Sequence, residues 1–188
     1  SLRKLSGAER AFDAYILSAY ANTRSEVGRN SQGERDALGG NSTDRAVLRS
    51  AFQSGYKKPE FDIVDRLEFD SARKYSSALV NVAGKRRILI KGAPEKILPR
   101  VSGYIASNGS INVIDRRRCD SVCARLTREG KRVIAVAEGD GARLSSCRDI
   151  SAYDGLTLIC LITLEDKVRD EAPRAVETLS GAGIGVVM

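Results

Sequence analysis

Hydrophobic residues recur with two different periods along the chain, and helical spacing comes first. Residues 6–9 read Ser-Gly-Ala-Glu, the form of a capping box, and a helix is predicted to follow. A second helix is predicted from Ser42 or Thr43 to about Ser54, ending at Gly55. Residues 22–41 between them are rich in Gly, Asn, Ser and charge without a period, and are predicted to form a long loop. The apolar positions behind these predictions are Phe12, Tyr15, Ile16 and Ala19, then Ala46, Val47, Ala51 and Phe52.

The period then changes to two, which indicates strands. A strand is predicted over residues 61–70, with Ile63, Leu67 and Phe69 on one side. Residues 75–82 and 86–91 flank Ala83-Gly84, and residues 104–107 and 111–114 flank Asn108-Gly109, so each set is predicted to form a hairpin. Strands joined by tight hairpins are antiparallel. The middle of the chain is therefore predicted to be an antiparallel sheet.

Further helices and strands complete the pattern. A short helix is predicted from Pro94 to before Pro99, and a longer one from Asp115, its cap, to Gly130. Strands are predicted at 132–137 and 156–164. Val168, Ala172, Val176 and Leu179 then mark a helix, followed by a strand at 184–188. The predicted fold class is α/β (α+β), an antiparallel β-sheet flanked by helices.

Composition excludes some classes of protein. Hydrophobic residues make up 42% and charged residues 29% of the 188 residues, as in soluble globular proteins and unlike disordered ones. The longest apolar run, residues 156–164, has about half the length of a membrane helix. The polar N-terminus does not resemble a signal peptide. We therefore expect no membrane contact by this piece of chain.

The net charge of +7 leaves two interpretations open. One is a basic module that binds nucleic acid or an acidic protein; the other is a solvated basic surface, which also suits a polyanionic nucleotide. Residues 116–118 form the only dense basic run. No aromatic residues are interleaved with that run to stack on bases. The second interpretation is favoured, and no nucleic-acid partner is expected.

Cysteine spacing argues against a metal site. Cys119 and Cys123 could supply two ligands, but no second pair lies nearby and the chain has no histidine. Both instead fall on the apolar stripe of the predicted helix, so they are interpreted as core residues, as expected in a reducing compartment. The lack of histidine also excludes triads that use imidazole as the base.

The sharpest local signal is at residues 91–95, Lys-Gly-Ala-Pro-Glu. An apolar strand delivers Lys91 to the point where the chain turns into a helix, and Gly92 leaves room for a flat ligand close to the backbone. The first amides of the helix favour anions. The alternative for this pattern alone is an ordinary strand–helix turn with an exposed lysine.

This segment resembles the nucleotide-binding domain of P-type ATPases of the calcium-pump and sodium-pump branch. Residues 68–75, Glu-Phe-Asp-Ser-Ala-Arg-Lys-Tyr, resemble that family's Phe-x-x-x-x-Lys segment. The resemblance implies that Phe69 stacks on adenine and that Lys74 approaches the nucleotide. Lys91 would lie at the floor of the pocket, beside Gly92 and Ala93.

Further segments agree in order and spacing. Residues 40–44, Gly-Asn-Ser-Thr-Asp, are similar to the family's Gly-Asn-x-Thr-Glu helix start, which places Asp44 near the adenine amino group. Residues 130–137 resemble the strand whose arginine, here Arg132, reaches toward the phosphates. Residues 166–188 look like the return into the phosphorylation domain. The resemblance thus implies a nucleotide-binding domain over 1–165 and a truncated phosphorylation domain over 166–188, with Asp166 and Arg169 at the hinge.

The sequence departs from the family pattern in places. Ser71 stands where calcium pumps often have a phosphate-binding arginine, and Asn41 stands where some members have an acid. The phosphorylated aspartate of Asp-Lys-Thr-Gly-Thr is absent, so no catalytic residue is expected here and the fragment should be inactive alone. The same absence disfavours a free-standing enzyme of the haloacid dehalogenase type.

The resemblance implies a role within a larger pump. The chain would bind ATP, with Mg²⁺ held mainly by the neighbouring phosphorylation domain, on the cytoplasmic side of a membrane. It would present the γ-phosphate to that domain's aspartate. The expected partners are ATP and the phosphorylation and actuator domains of the same chain. The transported cation would be Ca²⁺ or a similar metal ion.

Overall fold

A computed structural model describes residues 7–165 and 171–185 of the chain. Its five α-helices are α1 (Gly7–Ala21), α2 (Ser42–Gln53), α3 (Pro94–Ile97), α4 (Arg116–Arg128) and α5 (Ala172–Gly181). Its nine strands are β1 (Glu26–Arg29), β2 (Arg35–Leu38), β3 (Asp62–Leu67), β4 (Tyr75–Val82), β5 (Lys85–Gly92), β6 (Val101–Ile105), β7 (Ile111–Val113), β8 (Arg132–Asp140) and β9 (Leu156–Leu164). The predicted fold class is confirmed: a central sheet with helices against it.

Seven strands form the main sheet in the order β3-β4-β5-β8-β9-β6-β7. The two predicted hairpins, β4–β5 and β6–β7, are present and antiparallel. Ala83 and Gly84 both have positive φ, 48° and 73°, as a two-residue hairpin turn requires. The expectation of a purely antiparallel sheet is corrected at one place, because β6 and β9 pair in parallel.

Two other sequence predictions are corrected. Residues 22–41 are not a featureless loop, because β1 and β2 form a separate antiparallel hairpin there. The strand predicted over 61–70 is shorter, and a register shift between Ile63 and Asp65 breaks its alternation. Ile63 is consequently exposed, and Phe69 lies beyond the strand.

Both faces of the sheet are covered, which produces two apolar cores. On one face α1 packs over side chains such as Ala78, Val80 and Leu89, and α2 packs in turn on α1. On the other face α3, α4 and the loop after β8 cover a larger cluster that includes Leu79 and Ile90. The sheet is therefore a buried middle layer.

The cysteines fit these cores only in part. Cys147 is fully buried, whereas Cys119, Cys123 and Cys160 are half-buried, and all four are free thiols. Burial raises the pKa of the Cys160 thiol to about 12. A thiol with so high a pKa carries almost no thiolate at neutral pH and is unreactive.

Helix ends follow the predicted capping chemistry where the structure describes them. Asp115 accepts from the backbone N–H of Arg118 at 3.1 Å, and Gly130 follows α4 with φ of 76°. Ser6, Val168 and the last residues of the predicted 184–188 strand lie outside the described residues. Within the described ranges, no helix combines the length and the hydrophobicity needed to cross a membrane.

Candidate nucleotide-binding cleft

A cleft of about 470 Å³ lies at the end of the sheet where β5 stops and β8 begins. Its walls come from the start of α2, the turn between β3 and β4, and the chain entering α3. Of the eight residues predicted to bind nucleotide, seven line this cleft: Asp44, Phe69, Lys74, Lys91, Gly92, Ala93 and Arg132. Ser71 is exposed and does not line it. Segments far apart in sequence thus meet in one place.

The turn that carries Phe69 is ordered by Asp70. Its carboxylate accepts from the backbone N–H groups of Ala72 and Arg73, both at 3.0 Å. These hydrogen bonds, chiefly the one from Arg73, hold the pKa of Asp70 below its usual value. Phe69 is 49% exposed at the wall of the cleft. Since aromatic rings are ordinarily buried, an exposed ring on an ordered turn offers a platform for stacking.

Lys91 is buried at the floor of the cleft, with only 4% of its side chain exposed. Its Nζ lies 2.9 Å from Oδ1 of Asp44 and also donates to the backbone carbonyl of Asn22. Burial lowers the pKa of Lys91, although the charge of Asp44 opposes that shift. Asp44 and Asn22 thus compensate an ammonium group that would otherwise be very unfavourable in the interior.

The start of α2 places Asp44. Asn41 caps this helix, its side-chain oxygen accepting from the backbone N–H of Asp44 at 2.8 Å. Asp44 therefore lies in the first helical turn, where the helix dipole favours a carboxylate. The backbone N–H of Arg24 also lies 3.4 Å from Oδ2 of Asp44. The carboxylate is fixed in position before any ligand arrives.

Gly92 has a structural role besides leaving room for a ligand. A Cβ at this position would lie 2.3 Å from the carbonyl oxygen of Lys74 and 2.6 Å from Cα of Tyr75. Strand β4 would have to move away from β5 to accommodate it. The glycine therefore keeps the floor of the cleft joined to the turn that carries Phe69.

We expect Gly92→Ala to destabilise the fold by about 1–3 kcal/mol, the range for overpacking a close contact. The measurement is the free energy of unfolding in urea. Gly181→Ala is the control, because nothing lies within 4 Å of an added Cβ there and φ is not positive. An equal and small effect of both substitutions would contradict this interpretation of Gly92.

The rim of the cleft carries exposed positive charge. Lys74 is exposed and lies 3.1 Å from Glu95, a pairing that water screens strongly. Burial raises the pKa of Glu95, but its backbone hydrogen bond and Lys74 lower it by more, so the net pKa is depressed. Arg132 begins β8 at the same rim and is exposed. Lys74 can exchange its partner for a phosphate at little cost.

Sequence reasoning missed several residues of the cleft. Polar and apolar side chains complete its walls: Asn41, Ser42, Thr43, Ser76, Glu95, Val133 and Ile134. The sequence predicts only the start of a loop at Asn22, whose backbone carbonyl accepts a hydrogen bond from Lys91. Ser76 alternates with Tyr75 and Ser77 on β4, and only the pairing of β4 with β5 places it opposite Lys91. Each of these positions depends on contacts that are distant in sequence.

The arrangement suits one kind of ligand. Val133, Ile134 and the Phe69 ring provide apolar surface, while Lys74 and Arg132 provide positive charge at the rim. A flat ring that carries an anionic tail matches both features. Among residues 7–165 and 171–185, no group of three or more histidine, cysteine or acidic side chains could hold a metal ion.

A larger groove, about 1020 Å³, lies at the other end of β5. None of the predicted nucleotide-binding residues lines it. Arg87 in this groove is neutralised by an ion pair with Glu138. The predicted hinge residues Asp166 and Arg169 lie outside the described residues, so the structure does not place them.

Comparison with known proteins shows the class to which this fold and cleft belong. Residues 11–171 match the model of the family described as P-type ATPase, cytoplasmic domain N. Because that match covers most of the sequence, the chain belongs to this family. The match gives no support to the alternative of a nucleic-acid- or acidic-protein-binding module.

Individual relatives agree with the family. The chain is 31% identical to a calcium-transporting ATPase of Bacillus subtilis (strain 168), over 80% of the chain and 18% of that protein. It is 28% identical to the plasma membrane-type calcium-transporting ATPase 12 of Arabidopsis thaliana, over 89% of the chain and 17% of that protein. It is 30% identical to the probable cation-transporting ATPase I of Mycobacterium tuberculosis, over 93% of the chain and 11% of that protein. The chain thus spans less than a fifth of these relatives.

Proposed function

We propose that this chain binds ATP in the cleft and presents the γ-phosphate to the phosphorylation domain of a cation pump. The observation that carries the proposal is an exposed aromatic ring beside a buried lysine and two cations at the rim, on a domain of this family. Phe69 stacks on adenine, and Asp44 hydrogen-bonds its amino group. Lys74 and Arg132 approach the phosphates, while Lys91, Gly92 and Ala93 form the floor.

The rest of the reaction lies in other domains. An aspartate of the phosphorylation domain attacks the γ-phosphorus, the bond to the β-phosphate oxygen breaks, and ADP leaves. Mg²⁺ accompanies the nucleotide and is held mainly by that domain. We infer that residues 1–165 form the nucleotide-binding domain and residues 166–188 begin the phosphorylation domain. Val176 and Leu179 of α5, 44% and 39% exposed, support this division because a covering domain would bury them.

We further propose that the parent protein hydrolyses ATP to transport a cation from the cytoplasmic side of a membrane. Two of the relatives are named calcium-transporting ATPases, which favours Ca²⁺ as the cation. The actuator and phosphorylation domains of the same parent are the expected partners. The chain itself supplies binding and orientation, and no hydrolysis is expected from it alone.

Thermal unfolding with added ligand tests ATP binding. The expected dissociation constant is about 1 mM, or roughly −4 kcal/mol. ATP at ten times that concentration should stabilise the fold by about 1.4 kcal/mol and raise Tm. A single-stranded oligonucleotide at the same phosphate concentration is the control and should leave Tm unchanged. Stabilisation by the oligonucleotide but not by ATP would overturn the proposal.

A further inference from the structure

A second cleft, of about 510 Å³, lies beside the nucleotide-binding cleft and shares no lining residue with it. It is lined by the end of α1, the β1–β2 hairpin, α2, strand β3 and the segment that precedes β3. Its charge is strongly unbalanced. One carboxylate, Glu26, lines it together with four cationic side chains: Arg24, Arg35, Lys58 and Arg66.

Arg66 is the cation whose hydrogen bonding is incomplete. It lies on β3 opposite Ala78, and within the described part of the chain its Nε is buried without a hydrogen-bond partner. A guanidinium has five N–H donors and stays protonated, so it cannot relieve this deficit by losing its charge. Buried donors in native proteins nearly always have an acceptor. Solvent or a bound ligand is therefore expected to supply the acceptor at Arg66.

Two of the three neighbouring cations, Arg35 and Lys58, also have no carboxylate partner within the described residues. Arg24 pairs with Glu68, whereas Arg35 lies 5.0 Å from the ring centroid of Phe52 and Lys58 lies 5.8 Å from that of Phe61. Within residues 7–165 and 171–185, neither of these two cations nor Arg66 forms an ion pair. Three cations without an ion pair around one cleft, against the single carboxylate of Glu26, attract a multiply charged anion.

We propose that this second cleft binds a phosphate group, as inorganic phosphate or as part of a small phosphorylated molecule. The planar fork of a guanidinium matches phosphate oxygens, and a doubly charged oxyanion neutralises more of the excess charge than a carboxylate does. The proposal does not depend on ATP binding in the first cleft. The two clefts are nevertheless adjacent, because the backbone N–H of Arg24 faces Asp44.

An NMR titration of the whole chain with inorganic phosphate tests this proposal, with ionic strength held constant by sodium chloride. The amides of Arg24, Arg35 and Arg66 should shift with saturation, while those of Lys91 and Gly92 should shift less. Arg66→Gln should raise the dissociation constant roughly tenfold, as expected for losing a charge-assisted contact. Arg143→Gln removes the same charge at an exposed position outside both clefts and should change nothing.

Lys58→Gln keeps the test valid if Arg66→Gln fails to fold, because Lys58 is exposed and lies outside the regular strands. It should weaken phosphate binding roughly threefold, less than Arg66→Gln, since its charge is more screened. Shifts confined to the first cleft would overturn the proposal. So would equal effects of the cleft substitutions and Arg143→Gln. Shifts confined to the first cleft would still agree with ATP binding there, since Lys74 and Arg132 line that cleft.

Discussion

Replacing Lys91 with methionine is expected to destabilise the fold by about 3–5 kcal/mol, the range for breaking a buried ion pair by removing one partner. The side chains of Lys91 and Asp44 are only 4% and 9% exposed. Methionine would leave the Asp44 carboxylate in the interior without its cation. The backbone carbonyl of Asn22 would lose its donor as well.

Urea unfolding measures this effect, and the same cleft supplies a matched control. Lys74 pairs with Glu95 at 3.1 Å, but both side chains are more than half exposed, at 52% and 58%. Lys74→Met should therefore cost no more than about 1 kcal/mol. If Lys91→Met cost no more than Lys74→Met, the buried pair would not stabilise the fold in this way.

A double substitution separates the ion pair from simple packing. Asp44→Asn combined with Lys91→Met removes both charges, so the stranded carboxylate no longer exists. The double variant should be more stable than the sum of the two single effects implies, with a coupling of about 1–3 kcal/mol. Loss of ATP binding in a Lys91 variant would therefore also reflect damage to the floor of the cleft.

Phe69→Ala is expected to weaken ATP binding by about 1–3 kcal/mol, the contribution of one base stacked on an aromatic ring. That loss corresponds to a dissociation constant raised roughly five- to 150-fold. The fold should change by no more than about 0.5 kcal/mol, because Phe69 is 49% exposed and packs little against the core. Phe69→Ala should thus weaken ATP binding without destabilising the fold, whereas a substitution of Lys91 changes both.

Calorimetric titration with ATP and urea unfolding of the same variant provide the two measurements. Tyr104→Ala is the control: Tyr104 is 39% exposed on β6 and lies outside the cleft. Tyr104→Ala should leave ATP affinity unchanged. If Phe69→Ala and Tyr104→Ala had the same effect on affinity, the ring of Phe69 would not be the stacking platform.

Local features were predictable because their cause lies within a few residues. The turn at Ala83-Gly84 requires positive φ at both positions, and the cap at Asp115 requires a short polar side chain, so each pattern identifies its structure. The residues carrying the family resemblance are also contiguous segments. That is why seven of the eight predicted binding residues reach one cleft.

Features that depend on distant pairing were not predictable. The β6–β9 parallel pair joins segments about fifty residues apart, and no local pattern specifies it. Hairpin β1–β2 is short and polar, so it lacks the apolar alternation by which strands are detected. The pairing of Lys91 with Asp44 and the carbonyl of Asn22 was not predictable for the same reason, since both partners reach Lys91 only in the folded chain.

An NMR titration of the chain with ATP, with Phe69→Ala titrated in parallel, tests whether the cleft binds the nucleotide. Saturating amide shifts are expected to cluster at Phe69, Lys91–Ala93 and Arg132, and they should be lost in the well-folded variant. Shifts absent from these residues, or unchanged in Phe69→Ala, would contradict this expectation. Shifts produced by a short oligonucleotide but not by ATP would instead favour a basic binding module.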